Sequence, residues 1–265
     1  MFFYSLITGA SGLLGRYHSE ALLQINHNIV VTDKNLSKLK VAIKSLQKKY
    51  PKRNVLAFKM DVTSKKDILK VLNLLKKKNI YINNLINNAA IDAKFSKKLL
   101  NQNKFENISL NRWNNEISVG LSGAMLCSQI FGFEMVKKKI KGNILNIGSD
   151  LSILAPNQNI YKGKKNKLTY VKPVTYSAIK HGILGLTKYV ASYWASKNIR
   201  CNCLSPGPVL NKQSINLQKN LKKEIPLNRL ANVNEYMGSI KFMCSNESKY
   251  MTGQNLVVDG GRTIW

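Results

Sequence analysis

Apolar, β-branched runs alternate with helix-period stretches along the whole chain. The pattern predicts strands over 2–8, 28–33, 54–60, 84–88, 143–149, 199–205 and 255–259. It predicts helices over 12–25, 36–50, 65–78, 111–138, 175–197 and 233–244. Such alternation implies an α/β fold, a doubly wound parallel sheet of about seven strands with helices on both faces. No repeat and no long Pro/Gly/Ser linker divides the 265 residues, so one domain over 1–265 is expected. Two stretches break the rhythm, an insertion at about 151–174 and a loop at about 208–227. Both leave C-terminal ends of predicted strands, where open α/β sheets bind ligands. Long segments in that place are usually functional.

Composition adds little to this picture except charge. The 44% hydrophobic content is ordinary for a globular protein. No apolar run is expected to cross a bilayer. The opening Met1-Phe2-Phe3-Tyr4-Ser5-Leu6-Ile7 lacks a basic lead and stops at Thr8-Gly9, so it reads as a buried strand rather than a secretory signal. Cys127, Cys201, Cys203 and Cys244 read as buried small hydrophobes in a reducing cytoplasm, with no metal site expected. The charge is the anomaly: 42 Lys+Arg against 13 Asp+Glu, net +29. Its spread over nearly every predicted helix argues for a basic solvated surface. Aromatic residues do not interleave with the basic runs, so a nucleic-acid partner is not favoured.

The first predicted strand runs into Thr8-Gly9-Ala10-Ser11-Gly12-Leu13-Leu14-Gly15 and then a helix. Glycines let a backbone approach a pyrophosphate, and the helix N-terminus supplies N–H donors and partial positive charge. Thr8, Gly9, Ser11, Gly12, Leu14 and Gly15 are therefore candidate dinucleotide-binding residues. Asp33 ends the second strand, where a carboxylate accepts bonds from the adenosine ribose and repels a 2′-phosphate, which favours NAD over NADP. Lys34 and Arg16 lie close enough in sequence to oppose that preference. Asp61 and Val62 follow the third strand toward the adenine edge. Asn88, Ala89 and Ala90 close the fourth, beside the expected pyrophosphate and nicotinamide ribose. Further along, Tyr176 and Lys180 are four residues apart, on one face of a predicted helix. An ammonium beside a phenol favours the phenolate, so such a pair suits general acid–base work.

Taken together, these segments resemble the short-chain dehydrogenase/reductase family, in its single-domain, Rossmann-like branch. The resemblance covers essentially the whole chain. Asn87-Asn88-Ala89-Ala90 is similar to the family's Asn-Asn-Ala-Gly segment, and Asn146-Ile147-Gly148-Ser149 to the strand ending in its catalytic serine. Tyr176-Ser177-Ala178-Ile179-Lys180 matches its Tyr-x-x-x-Lys motif. Pro206-Gly207-Pro208-Val209 resembles the segment flanking the nicotinamide, and 251–261 its C-terminal stretch. The resemblance implies three catalytic roles. Tyr176 exchanges a proton with the substrate oxygen, Ser149 hydrogen-bonds that oxygen, and Lys180 activates the tyrosine and binds the nicotinamide ribose. It also implies that Tyr176, Lys180, Pro206, Gly207 and Val209 contact the cofactor. Dimers or tetramers through the helices at 111–138 and 175–197 are implied as well.

The chain departs from the family pattern in several places. Gly12 falls one position early. Gly120 stands where the family has an asparagine that holds a water in the proton relay, with Ser118 and Ser122 as nearby substitutes. Asn211 replaces the usual threonine. Ser149 lies 27 residues before Tyr176, a longer gap than usual. The extra segment carries Lys162, Lys164, Lys165, Lys167 and Lys172. It is similar to members associated with sialic-acid-like or surface-glycan sugars. Lysines bind phosphates as point charges, so the expected activity is NAD-dependent hydride transfer on a secondary alcohol or ketone of a sugar or nucleotide-sugar derivative, phosphorylated sugars included. Two alternatives stand beside it. One is an NADPH-dependent 3-oxoacyl carrier-protein reductase; the other is a cofactor-binding sensor or interaction partner with weak catalysis. His18, His27 and His181 are expected to carry no catalytic role.

Overall fold

The computed structural model describes residues 3–91, 99–163 and 166–265. Seven parallel strands form one sheet: β1 Tyr4–Thr8, β2 Asn28–Asp33, β3 Val55–Lys59, β4 Asn84–Asn87, β5 Gly142–Ile147, β6 Ile199–Pro206 and β7 Asn255–Val258. Their order is β3-β2-β1-β4-β5-β6-β7. Chain direction through the sheet reverses between β1 and β4, where Ser5 pairs with Asn84 and Ile7 with Ile86. A doubly wound sheet opens its ligand crevice at such a point.

The main helices are α1 Leu13–Gln24, α2 Leu36–Lys49, α3 Lys65–Lys77, α4 Leu110–Lys137, α5 Val174–Trp194, α6 Ile215–Lys223 and α7 Met237–Met243. Strand side chains alternate between two cores, as the period of two requires. Leu6, Val30, Leu85 and Ile144 face α3, α4 and α5. Ile7, Val31, Ile86 and Leu145 face α1, α2 and α7. Local capping agrees with the global fold: the side chains of Asn35, Ser64 and Ser214 accept from Lys38 N, Asp67 N and Leu217 N at the starts of α2, α3 and α6.

Several sequence expectations are corrected. The fifth strand ends at Ile147, and Ser149 instead caps the short 3-10 turn Asp150–Ser152. The segment 208–227 contains α6, an amphipathic helix too short for periodicity to separate from loop. The stretch 151–174 is folded, with the 3-10 turn Gln158–Tyr161 and an antiparallel bridge between Lys162 and Leu168. Ile160, Tyr161 and Tyr170 pack against Leu217, Leu221 and Leu230, so the two segments share one satellite core. The helix expected at 233–244 begins as the 3-10 turn Val233–Tyr236. Finally, α4 is long and apolar enough to cross a membrane by length and composition. Its Cys127, Ile130, Phe131 and Met135 are buried in the core instead. Two π-helical stretches, Ser118–Ser122 and Ser128–Gly132, interrupt it.

Candidate active site

The glycine turn is shaped by what approaches it. Gly9 has φ +62, and a Cβ there would stand 2.8 Å from Ala89 Cα. Only glycine supplies that handedness without strain and lets β4's exit pass so close. Thr8 is buried behind the turn: its hydroxyl donates toward Ile86 O at 3.4 Å and accepts from Asn88 N and Ala89 N, each at 3.0 Å. Asn88 completes the brace, its Nδ2 donating to Thr8 O at 2.9 Å and Gly9 O at 3.1 Å. Thr8 therefore fixes the turn from behind, whereas Gly9, Ser11, Gly12, Leu14 and Gly15 line a cavity of about 1030 Å³. No side chain caps the N-terminus of α1 at Gly12. That positive end opens beside the cavity, and this uncapped, glycine-lined cradle fits a pyrophosphate.

Asp33, Asp61, Val62, Asn88, Ala89 and Ala90 line the same cavity. The Asp33 carboxylate accepts from Ser11 N and Oγ at 3.2 and 2.6 Å, and from Asn35 N at 3.0 Å. It is thereby held facing the glycine turn. Lys34 and Lys38 stand beside it on the cavity wall, while Arg16 turns away to Ser45 at 3.1 Å. Asp61 accepts from the Thr63 hydroxyl at 2.7 Å and shapes the exit of β3. On the far side, Pro206, Gly207, Val209 and Asn211 contribute to the wall. Tyr236 pins that segment through its hydroxyl, which donates to Gly207 O at 3.0 Å.

At the chemical end, Ser149, Tyr176 and Lys180 meet in the cavity. The Lys180 ammonium is buried, donates to Ile147 O at 2.7 Å and stands 5.7 Å from the centroid of the Tyr176 ring. Ser149 Oγ donates to Asp150 Oδ1 at 2.7 Å and accepts from Leu151 N at 3.2 Å. Asp150 is anchored in turn by Arg262, whose guanidinium lies 2.5 Å from Asp150 Oδ2 and 2.5 Å from Glu224 Oε2. Burial works against the Arg262 charge, yet the two carboxylates outweigh it and hold its pKa above the usual range. Burial also pushes Tyr161 up to about 12, against the opposing pull of Lys172 and Arg262.

Gly120 resolves differently from a missing side chain beside empty space. It is buried in the first π stretch of α4, and a Cβ there would stand 2.7 Å from Ile179 Cγ2. Ile179, on the same helix as Tyr176 and Lys180, fills that space. Ser118 turns its hydroxyl to Asn115 O at 2.8 Å, and neither Ser118 nor Ser122 lines the cavity. From this helix Asn115 and Val119 do. Among the described lysines of the inserted segment, Lys172 lines the cavity while Lys162 and Lys167 do not; Lys164 and Lys165 lie outside the described residues. His18 and His27 are buried away from the cavity, and exposed His181 meets Ser177 O at 3.0 Å.

Sequence reasoning missed Asp150 and Arg262. Asp150 had a signal, being one of only 13 acidic residues and adjacent to Ser149. Arg262 had none, as one basic residue among 42.

Residues 4–222 match the family model for short chain dehydrogenases. An NAD-dependent glycerol dehydrogenase of Listeria innocua is 28% identical, covering 98% of this chain and 93% of its own length. A 3-oxoacyl-(acyl-carrier-protein) reductase of Buchnera aphidicola is 33% identical, covering 97% and 96%. Among solved structures, a short chain dehydrogenase of Leptospira borgpetersenii with bound NAD+ superposes with TM-score 0.85 at 31% identity, covering 99% of this chain and 93% of that one.

Proposed function

The chain belongs to the short-chain dehydrogenase family of NAD(P)-dependent dehydrogenases and reductases, and from that premise we propose that it transfers a hydride between NAD and a secondary alcohol or ketone of a polyol, sugar or nucleotide-sugar derivative. The observation that carries this reading is the convergence of Ser149, Tyr176 and Lys180 in one cavity with the glycine cradle and Asp33. Gly9, Ser11, Gly12, Leu14 and Gly15 would hold the pyrophosphate, with Thr8 fixing their turn. Asp61, Val62, Asn88, Ala89 and Ala90 would flank the adenosine and ribose, and Pro206, Gly207 and Val209 the nicotinamide. The bound nicotinamide supplies the hydride chemistry.

The protein's own part is proton transfer and positioning. Tyr176 exchanges a proton with the substrate oxygen, and Ser149 hydrogen-bonds that oxygen. Because Ser149 donates to Asp150 and accepts from Leu151 N, one lone pair is left to accept from an alcohol O–H; donation to a ketone requires it to release Asp150. Lys180 is set beside Tyr176 by its bond to Ile147 O. Asp33 supports NAD, since a 2′-phosphate would meet a carboxylate already fixed by Ser11 and Asn35. Exposed Tyr189 and Tyr193 stack at 5.7 Å on α5, and Met125 and Phe133 are exposed on α4. These faces support self-association into a dimer or tetramer.

A 3-oxoacyl carrier-protein reductase is the second reading, favoured by the +29 charge as a dock for an acidic carrier protein. One screen separates the two. The purified protein is offered NAD and NADP with polyols, hydroxy acids and sugar phosphates, and NADH and NADPH with 3-oxoacyl thioesters. Turnover of an alcohol with NAD is the expected result; turnover confined to oxoacyl thioesters with NADPH would replace the first reading by the second.

A further inference from the structure

Glu116 is a buried charge that no step of the proposed reaction uses. It lies on α4 and is only 7% exposed. Its carboxylate accepts from two donors, Arg112 Nε at 2.7 Å and the Thr175 hydroxyl. Arg112 extends the chain, its Nη1 donating to Gln102 O at 2.9 Å. Thr175 is fully buried and immediately precedes Tyr176.

Two such contacts join α4 to α5. Thr175 meets Glu116, and Ile179 packs against Gly120. On each helix the two partners are four residues apart, so both contacts lie along one face. Thr175 comes just before Tyr176, and Ile179 just before Lys180. One step along a helix turns a side chain by about 100°. Anchoring Thr175 and Ile179 against α4 therefore aims Tyr176 and Lys180 aside from it, and both of these line the cavity.

The first turn of α5 holds Tyr176 at its third position and has no cap of its own. The Pro173 side chain accepts no bond from it, and the turn contains no acidic residue. Glu116 supplies from α4 the negative charge that a helix N-terminus favours. An apolar contact would serve stability as well. Ile117, Leu121, Ile179 and Ile183 share an apolar cluster drawn from both helices, and apolar side chains that replace a buried ion pair often stabilise as much or more. What the carboxylate adds is direction: its bond to Thr175 fixes one setting of α5 against α4.

We propose that Glu116 is a positioning residue for the reaction, acting through Thr175 to set where the Tyr176 hydroxyl meets the substrate. This rests on the reading of Tyr176 as the proton-transfer group. A misplacement of about 1 Å in such a group costs about 10²-fold in rate.

Steady-state turnover with NAD, on the alcohol that the screen identifies, tests this on the full chain. NADH titration counts the cofactor-competent sites, so kcat refers to folded molecules alone. Thr175→Val should lower kcat by about tenfold to a hundredfold with NADH affinity unchanged. Thr175→Ser keeps the hydroxyl and should stay near wild type. The triple variant Arg112→Met, Glu116→Leu, Thr175→Val replaces the polar chain by apolar side chains. It should unfold near the wild-type temperature yet keep the low kcat. In both slow variants the solvent deuterium isotope effect on kcat should rise, because proton transfer at Tyr176 is the step they slow. Wild-type kcat in Thr175→Val, or kcat restored together with stability in the triple variant, would overturn the proposal. So would loss of NADH binding in every slow variant, which marks the chain as structural. A wild type without turnover, or one indifferent to Tyr176→Phe, sinks the functional reading and this inference with it. A Tyr176-dependent enzyme indifferent to Thr175→Val sinks this inference alone.

Discussion

At the scale of single residues, Gly120 shows how one position rewires its neighbours. In the sequence it is an absent asparagine; in the fold it is the socket for Ile179. A glycine-to-alanine change inside an ordinary helix gains about 1 kcal/mol. Here the new Cβ would meet Cγ2 of a buried β-branched side chain at 2.7 Å, and overpacking typically costs about 1–3 kcal/mol. The clash wins, so Gly120→Ala should destabilise in urea unfolding, and its cost should shrink when measured in an Ile179→Ala background. Gly120→Asn alone should not raise turnover. Tyr176, Lys180 and the glycine turn were legible because their chemistry depends on short, fixed spacings. Arg262 was not, since it acts across folded distance, on Asp150 112 positions away.

Among elements, the important event is the joining of three segments that the chain keeps far apart. The turn after β5, helix α6 and the C-terminal stretch after β7 converge on Asp150, Glu224 and Arg262. Asp150 and Arg262 side chains are each 5% exposed, Glu224 21%. Removing one partner of a buried ion pair costs about 3–5 kcal/mol, because the other charge is left uncompensated. Arg262→Met should lose stability of that order in denaturant and also lower kcat, since Asp150 would no longer hold the Ser149 hydroxyl. The double change Arg262→Met with Asp150→Asn should recover much of the stability but not the rate. A purely structural role would instead return both together. The strands were legible because each alternates between two apolar cores, as Leu6 and Ile7 do. The satellite core was not, because Ile160, Tyr161 and Tyr170 are too scattered to form a period.

For the whole molecule, buried histidines set the acid limb of stability. His18 is fully buried, its ring nitrogens lack partners among the described residues, and burial lowers its pKa to about 3 from 6.5. Burial lowers His27 to about 4. A histidine with a depressed folded pKa binds fewer protons folded than unfolded between those two values, so stability rises with pH through that window. The His18 contribution is complete above about pH 6.5 and is lost as pH falls toward 3, by about 1.4 kcal/mol per pH unit. His18→Leu should flatten this limb in unfolding measured across pH. An unchanged slope would show that His18 is charged when folded.

All of these effects surround one claim, that Tyr176 carries the proton while the glycine cradle carries the cofactor. The direct measurement compares wild type with Tyr176→Phe, reading NADH affinity by fluorescence and turnover by nicotinamide absorbance on whichever alcohol the screen identifies. Loss of a positioned acid–base group costs about 10²–10⁴-fold in rate. Turnover should fall by at least that lower bound with NADH affinity unchanged. Turnover close to that of wild type would contradict the account.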